Sequence, residues 1–473
     1  MARELIVLIT LLAYAVALLL IGYWASRRTN SAADFFIGGR NLGPLVAAMS
    51  ASASSSSAWT LLGVSGAAFA WGLPALWLFP ATLLGFVINW FWVAPRLNPL
   101  AARLDAVTLP DILSNGTSGS MRSAILRSTA IVIVISFSFY VASQFQAAGH
   151  AFAGTFGMPR ASAIALGGLI VVLYTWAGGF WAVSVTDTLQ GLLMAATAIV
   201  LPIAAVISVG GPEGLISGLA ADQADTLTHT GIAAAGFAVG TLGIGLGYPG
   251  QPHVVNRLMA LRDDQALRAG RIIAITWAVV IYAGMIALGL SGRVMIGELA
   301  DGEQVFFALT NALFHPAIAG LMIAAVLSAI MSTADSQLLV VSSSIAHDWF
   351  GGSAGDRHDD PADSTERTAR LRRARRVVLV LSVVAILLAT LAPATIFDRV
   401  LFAWHAVGSA LGPALILILA GLRIRPRFLL ASIWIGFGLT VAIHWFPNTP
   451  GDWLERLAPL VVAGVVAALG RER

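Results

Sequence analysis

The chain is 473 residues long, 58% hydrophobic and only 11% charged. A water-soluble domain of this size needs more charge to cover its surface, so the composition describes a protein whose outer face meets lipid. There is no cysteine, which removes disulfide frameworks and thiol chemistry, and no lysine, so all 28 basic residues are arginine and the formal charge of +4 reads as orientation-setting loop arginines rather than a nucleic-acid surface.

The first apolar run, Leu5 to Ala25, precedes Arg27 and Arg28. A secretory leader carries its basic residues ahead of a shorter run, so this segment reads as a retained first helix with its N-terminus outside. About 13 spans of bilayer length follow the same logic, with cores at 4–25, 42–68, 72–94, 124–154, 160–180, 183–208, 229–254, 271–292, 316–345, 377–393, 400–421, 428–446 and 456–470. Arginines test this topology. Arg27, Arg28, Arg40, Arg96, Arg103, Arg122, Arg127, Arg257, Arg262, Arg268, Arg271, the run ending at Arg376, and Arg423, Arg425, Arg427, Arg471 and Arg473 are expected on the cytoplasmic side. The other side keeps only Arg3, Arg160, Arg293, Arg399 and Arg456, which places the C-terminus inside. The polar stretch 351–376 reads as a flexible cytoplasmic loop leading into a helix.

Two of these spans are broken. Residues 49–66 read MSASASSSSAWTLLGVSG and residues 236–253 read GFAVGTLGIGLGYPGQPH. Serine hydroxyls compete for backbone hydrogen bonds, and Pro249 and Pro252 each remove a backbone donor. Interrupted helices persist in a bilayer only where protein or a watery cavity surrounds them, and a matched pair in two halves of a chain points to the binding site of a secondary transporter. The breaks open two groups of five spans, 42–208 and 229–421, flanked by an extra helix at 4–25 and peripheral helices at 428–470. An odd number of spans per group inverts the second group relative to the first.

Nearly all of the 24 acidic residues fall in loops or at span ends; Asp187 and Asp335 do not. An ionisable group inside a span is costly and marks function by default. Asp187, near the start of the sixth span, reads as a cation ligand or as a carboxylate at headgroup level. Asp335 borders a helix face on which Ala329, Ser332, Thr333 and Ser336 repeat at i, i+3, i+4 and i+7. Such a row of hydroxyls suits a hard cation, and it equally suits close helix packing. Trp59, Tyr140 and Tyr248 lie near the breaks as candidate pocket aromatics. There is no P-loop, nucleotide-binding glycine fingerprint or nucleophile elbow, so neither ATP-driven transport nor an enzyme is expected.

At these residues the chain resembles the sodium/solute symporter family, and within it the sodium/proline symporters. The matching stretches are Gly38 to Pro44, Ala58-Trp59, Thr108 to Asp111, Gly178 to Ser184 with Thr186-Asp187, Gly247 to His253, and Met331-Ser332-Thr333. The resemblance implies an all-α integral membrane protein with a LeuT-like core of two inverted five-helix repeats, its first and sixth core helices broken. It implies a principal sodium site made by the backbone carbonyls of Ala53, Ser56 and Ala329 with the hydroxyls of Ser332 and Thr333, and a possible second cation site at Asp187, Asp335 and Ser336. A substrate pocket at Ser55, Trp59, Tyr140, Ile244 and Tyr248 is implied as well.

Three positions depart from that pattern. Ser55 stands where proline carriers have an aspartate, Ile244 where they have a tryptophan, and Asp335, followed by Ser336, where some relatives carry the first of two serines. The expected function is sodium-coupled import of a small amino acid, proline first, across a bacterial inner membrane. The ligands are then a sodium ion, a small solute and membrane lipid, without nucleic acid. A proton-coupled or mixed-ion carrier of another small zwitterion and a transporter-like solute sensor are the alternatives.

Overall fold

The computed structural model describes residues 2–26, 40–177, 180–222, 231–349, 364–391, 394–447 and 449–472. With shorter helices at Leu109–Leu113, Gly211–Asp222 and Val305–Leu313 between them, thirteen long helical rods follow one another among the described residues. They are α1 (Ala2–Ser26), α2 (Pro44–Ala58, continued by Trp59–Val64 and Ser65–Trp71), α3 (Leu78–Val87, Ile88–Val93 and Ala94–Leu104), α4 (Gly119–Phe156), α5 (Arg160–Ala177), α6 (Phe180–Ser208) and α7 (Ile232–Leu246, Tyr248–Gly250 and Pro252–Met259). The remainder are α8 (Asp264–Ile296), α9 (Pro316–Ser343), α10 (Ser364–Leu391), α11 (Ile396–Leu419), α12 (Pro426–Ile443) and α13 (Trp453–Leu469). Among the described residues there is no strand beyond two isolated bridges.

Each rod falls on one expected span. Nine helices among the described residues are both long and apolar enough to cross a membrane. The other rods fall short for local reasons: α2 is rich in serine, α13 has 17 residues, and the apolar parts of α5 and α10 are short. The arginine run from Arg367 to Arg376 belongs to α10, so this part of the expected loop is already helical. Arg27, Arg28, Gly38-Gly39, Gly178-Gly179, residues 351–363 and Arg473 lie outside the described residues.

The packing positions the two breaks. The serine-rich α2 is almost wholly buried and touches α6, α8, α9 and the last segment of α7. The break of α7 lies on α11. Contacts repeat with an offset of five helices: α2 on α8 is matched by α7 on α3, α2 on α6 by α7 on α11, and α6 on α9 by α11 on α4. The two broken rods therefore have equivalent surroundings. Outside this core, α1 packs on α6 and α9, while α12 and α13 pack on each other and on α11.

Small residues permit the crossing of α7 and α11. A Cβ on Gly250 would lie 2.6 Å from the Gly408 carbonyl oxygen and 2.7 Å from the Gly408 Cα, and it would be 2.8 Å from the Gly412 nitrogen. Those neighbours are backbone and cannot swing aside, as close helix approach in membranes requires. Gly250→Ala is expected to cost at least about 1–3 kcal/mol of overpacking. The check is the yield of monodisperse protein in detergent, which should fall sharply against wild type while a substitution at the open position Gly438 leaves it unchanged.

Candidate functional site

The break in α2 is centred on Ser57, whose φ of 52° and ψ of −177° no helix accommodates. Such a conformation costs a non-glycine residue about 1–3 kcal/mol and persists only when its surroundings fix it. Here the fixing groups are visible. The Trp59 amide donates to Ser57 Oγ at 3.0 Å, and the Ala58 amide donates to Gln144 Oε1 of α4 at 3.0 Å. Carbonyls just before the break face α9 instead. Ser332 Oγ donates to the Ala53 carbonyl at 3.3 Å, and Thr333 Oγ1 donates to the Ser54 carbonyl at 3.0 Å. In α7, Pro249 and Pro252 interrupt the ladder. Gln251 Nε2 reaches the Gly247 and Trp404 carbonyls at 3.1 and 2.9 Å, which anchors the break to α11.

An oxygen cluster results between α2 and α9. It comprises the Ala53 and Ser54 carbonyls, the hydroxyls of Ser332 and Thr333, and the Ala329 carbonyl, 3.3 Å from Ser332 Oγ. Ala53, Ser54, Ala329, Ser332 and Thr333 are fully buried. Neutral oxygen donors held away from water are what a hard monovalent cation needs, so the residues fit a sodium ion. Of the five residues expected here from the sequence, Ala53, Ala329, Ser332 and Thr333 come together. The Ser56 carbonyl accepts the Thr60 hydroxyl instead, and Ser54 joins the cluster in a way the sequence did not signal.

All five expected pocket residues line one cavity. Ser55, Trp59, Tyr140, Ile244 and Tyr248 line it together with Thr82, Tyr282, Val400, Leu401 and Trp404. Each of these ten is at most about one-twentieth exposed, so the chamber is buried within the bundle. Its wall carries hydroxyls and indoles but no charged side chain. Tyr248 Oη donates to Ser55 Oγ at 2.6 Å, tying the two breaks together, and the Trp59 indole N–H has no protein partner. Trp404 packs edge-on against Tyr248 at 4.8 Å and donates its indole N–H to the Ile244 carbonyl at 3.1 Å. An indole from α11 thus sits beside Ile244, and the pocket is reshaped there rather than opened. Trp404 and Tyr282 were legible only as aromatics in the middle of apolar spans.

Beyond the breaks lies a buried charged cluster. Asp187 Oδ2 is 2.8 Å from Arg257 Nη2 and accepts from Ser50 Oγ at 2.6 Å. Arg257 was expected in a cytoplasmic loop. It is instead 2% exposed, because the short segment Pro252–Met259 after the break packs against α2 and the last segment of α3. Its position four residues after His253 was the available signal: Nη1 donates to the His253 carbonyl at 2.6 Å, one helical turn back. Asp187 is fully buried rather than at headgroup level. Asp335 Oδ1 lies 3.2 Å from Ser336 Oγ, and Ser336 in turn meets Arg257 Nη2 at 2.5 Å. Asp187, Asp335 and Ser336 therefore do share one cluster, with an arginine at its centre.

Set beside known proteins, residues 35–436 match the model of the sodium:solute symporter family. The chain belongs to that family. It is 36% identical over 477 residues to the osmoregulated proline transporter of Bacillus subtilis (strain 168), covering 97% of this chain and 94% of that protein. It is also 36% identical over 348 residues to sodium/proline symporter 2 of Staphylococcus saprophyticus, covering 72% of this chain and 68% of the relative. The solved structure of a sodium-coupled sialic acid symporter, in a substrate-bound outward-open state, superposes with a TM-score of 0.78 at 20% identity over 99% of both chains. That likeness shows the fold, a LeuT-like core of two inverted repeats, and explains why the helix contacts recur with an offset of five. The symporter is a multi-pass membrane protein and not an enzyme.

Proposed function

We propose that this symporter couples the entry of one small zwitterionic amino acid, proline foremost, to the inward movement of sodium. The observation that carries the reading is the shared use of α2. Residues Ala53 and Ser54 give carbonyls to the oxygen cluster, while Ser55 and Trp59 face the closed chamber a turn away. A sodium ion held by Ala53, Ala329, Ser332 and Thr333, with Ser54, and with Ser56 as the further ligand implied by resemblance, would join α2 to α9 and set the backbone on which the solute rests. Each ligand then raises the affinity for the other, as reciprocal linkage demands. The chamber is lined by apolar Ile244, Val400 and Leu401 together with the free Trp59 N–H and the Tyr140 hydroxyl. A small apolar ring with a hydrogen-bonding carboxylate end suits that lining. The relatives named as proline transporters support the same solute.

In this reading the inverted repeats are 42–208 and 229–421, with 4–25 and 428–470 as accessories, in a bacterial cytoplasmic membrane. The C-terminus lies inside in this reading, because Arg96, Arg103, Arg262, Arg268, Arg425 and Arg427 fall in the loops that the arginine bias assigns to the cytoplasm. Radiolabelled proline uptake into proteoliposomes, under an inward sodium gradient or an inward proton gradient, tests the proposal. Sodium-driven uptake competed best by unlabelled proline is expected. Uptake that persists without sodium and follows the proton gradient would overturn the coupling, and binding without any accumulation would make the protein a sensor.

A further inference from the structure

In the orientation read above, the outer end of α4 meets the connection between α8 and α9 in a group of donor atoms that neither the chamber nor the oxygen cluster uses. His150 of α4 and Asp301 and Glu303 of the connection bring an imidazole nitrogen and two carboxylate oxygens within 4.8 Å of one another, and among the described residues no other three such side chains do so. His150 Nδ1 lies 3.8 Å from Asp301 Oδ2, too far for a hydrogen bond. That nitrogen is buried without a hydrogen-bond partner, on a side chain that is only 10% exposed. Asp301 Oδ1 accepts the Glu303 amide at 3.0 Å, which leaves Oδ2 turned to the imidazole. Glu303 is buried and fixed: its oxygens accept the Ile396 amide at 3.1 Å and the Phe397 amide at 2.8 Å, at the start of α11. Each of those oxygens keeps a further lone pair. Arg160 and Arg399 bring positive charge near the group, and the carboxylates of Asp301, Glu303 and Asp398 outnumber them.

We infer that His150, Asp301 and Glu303 form a binding site for a divalent transition-metal ion of the zinc class, and that an ion held there arrests transport by pinning this connection to α4. The arrest rests on the transport reading above; the site does not. One imidazole and two carboxylates are a zinc donor set, with a fourth position left for water, and the nitrogen ligand disfavours magnesium and calcium. Bonds of about 2.0–2.2 Å set tetrahedral ligands about 3.3–3.6 Å apart. The donor atoms, within 4.8 Å of one another, therefore close by at most about 1.5 Å, and Asp301, 42% exposed at its side chain, has the freedom to do so. The two amides on Glu303 orient its carboxylate as an outer shell does. What Glu303 touches gives the ion its consequence. A Cβ on Gly66 would lie 3.0 Å from the Glu303 Cα and nitrogen, so the turn Gly302–Gln304 rests directly on α2 beyond its break. Phe397, whose amide Glu303 receives, holds its ring 5.5 Å from the ring of Trp59 in the chamber wall. An ion joining α4 to this turn ties together the elements that cover Trp59, and alternating access requires such elements to move apart.

Calorimetric titration of zinc chloride into the purified full-length carrier, with no polyhistidine tag, tests the site, and thermal unfolding with and without zinc gives a second readout. Wild type should bind about one zinc per chain and unfold at a higher temperature when zinc is present. H150A and D301N should each bind roughly 10–150-fold more weakly, the factor for losing one partner of a charge. No saturable zinc binding by wild type, undiminished affinity in both variants, or magnesium bound as tightly as zinc would overturn the site. Should H150A not fold, D301N decides, because an asparagine keeps the oxygen that accepts the Glu303 amide. Zinc added outside cells that carry the symporter should lower the maximal rate of proline uptake, a chelator should restore it, and both variants should transport as wild type does without zinc and resist it when it is added. Zinc that binds wild type yet leaves its uptake unchanged would overturn the arrest. No proline uptake even without zinc would instead sink the transport reading, and binding and unfolding would then decide the site by themselves.

Discussion

Asp187→Ala is expected to destabilise the folded carrier by about 3–5 kcal/mol, because it strands a buried arginine. Asp187 and Arg257 are 0% and 2% exposed at the side chain and meet at 2.8 Å. Removing the carboxylate leaves the guanidinium with three neutral acceptors, Ser50 Oγ, Ser336 Oγ and the His253 carbonyl, and without its bonded counter-charge. Hydrogen bonds to neutral oxygens do not replace the attraction that offsets the cost of desolvating an ion. Replacing both partners removes both costs, so D187A/R257M should recover most of the loss. Thermal unfolding of purified wild type, both single variants and the double variant forms the test cycle. Strong coupling between the two sites is expected; simple additivity, or a D187A curve that overlays wild type, would show that the pair does not carry this load.

That pair also marks where the sequence stopped being readable. The spans were legible because a lipid-facing helix must be apolar for about 20 residues, a constraint written along the chain. The breaks were legible for a similar reason: proline at 249 and 252 and four consecutive serines at 54–57 act on their own backbone. Even so, the kink itself sits at one serine, Ser57, and nothing in a run of four identical residues says which one takes φ of 52°. Its place is decided by Gln144, which captures the Ala58 amide from another helix. Arg257 failed for a related reason. Arginine density sets orientation on average, but a short helix packed against the core can bury its arginine. Only the packing of Pro252–Met259 against α2 reveals that Asp187 has a partner. Likewise Trp404 reaches the pocket because Gly247, Gly250, Gly408 and Gly412 let α11 approach the break of α7.

Ser332→Ala and Thr333→Ala are each expected to raise the sodium concentration for half-maximal uptake by roughly 10–150-fold. That is the factor for losing one polar partner of a charge, about 1.5–3 kcal/mol. The double variant should show no sodium activation in any practical range. These hydroxyls presently bond to the Ala53 and Ser54 carbonyls, so an alanine also leaves a buried carbonyl without its partner, and a fall in activity alone would not separate ion binding from helix packing. Linkage does separate them. If the hydroxyls hold sodium, saturating sodium must restore proline affinity in each single variant, and without sodium the variants and wild type must bind proline equally weakly. If the hydroxyls serve only packing between α2 and α9, proline affinity falls at every sodium concentration and no amount of the ion repairs it. Proline binding titrated at several sodium concentrations therefore distinguishes an ion ligand from a packing contact at the same two residues.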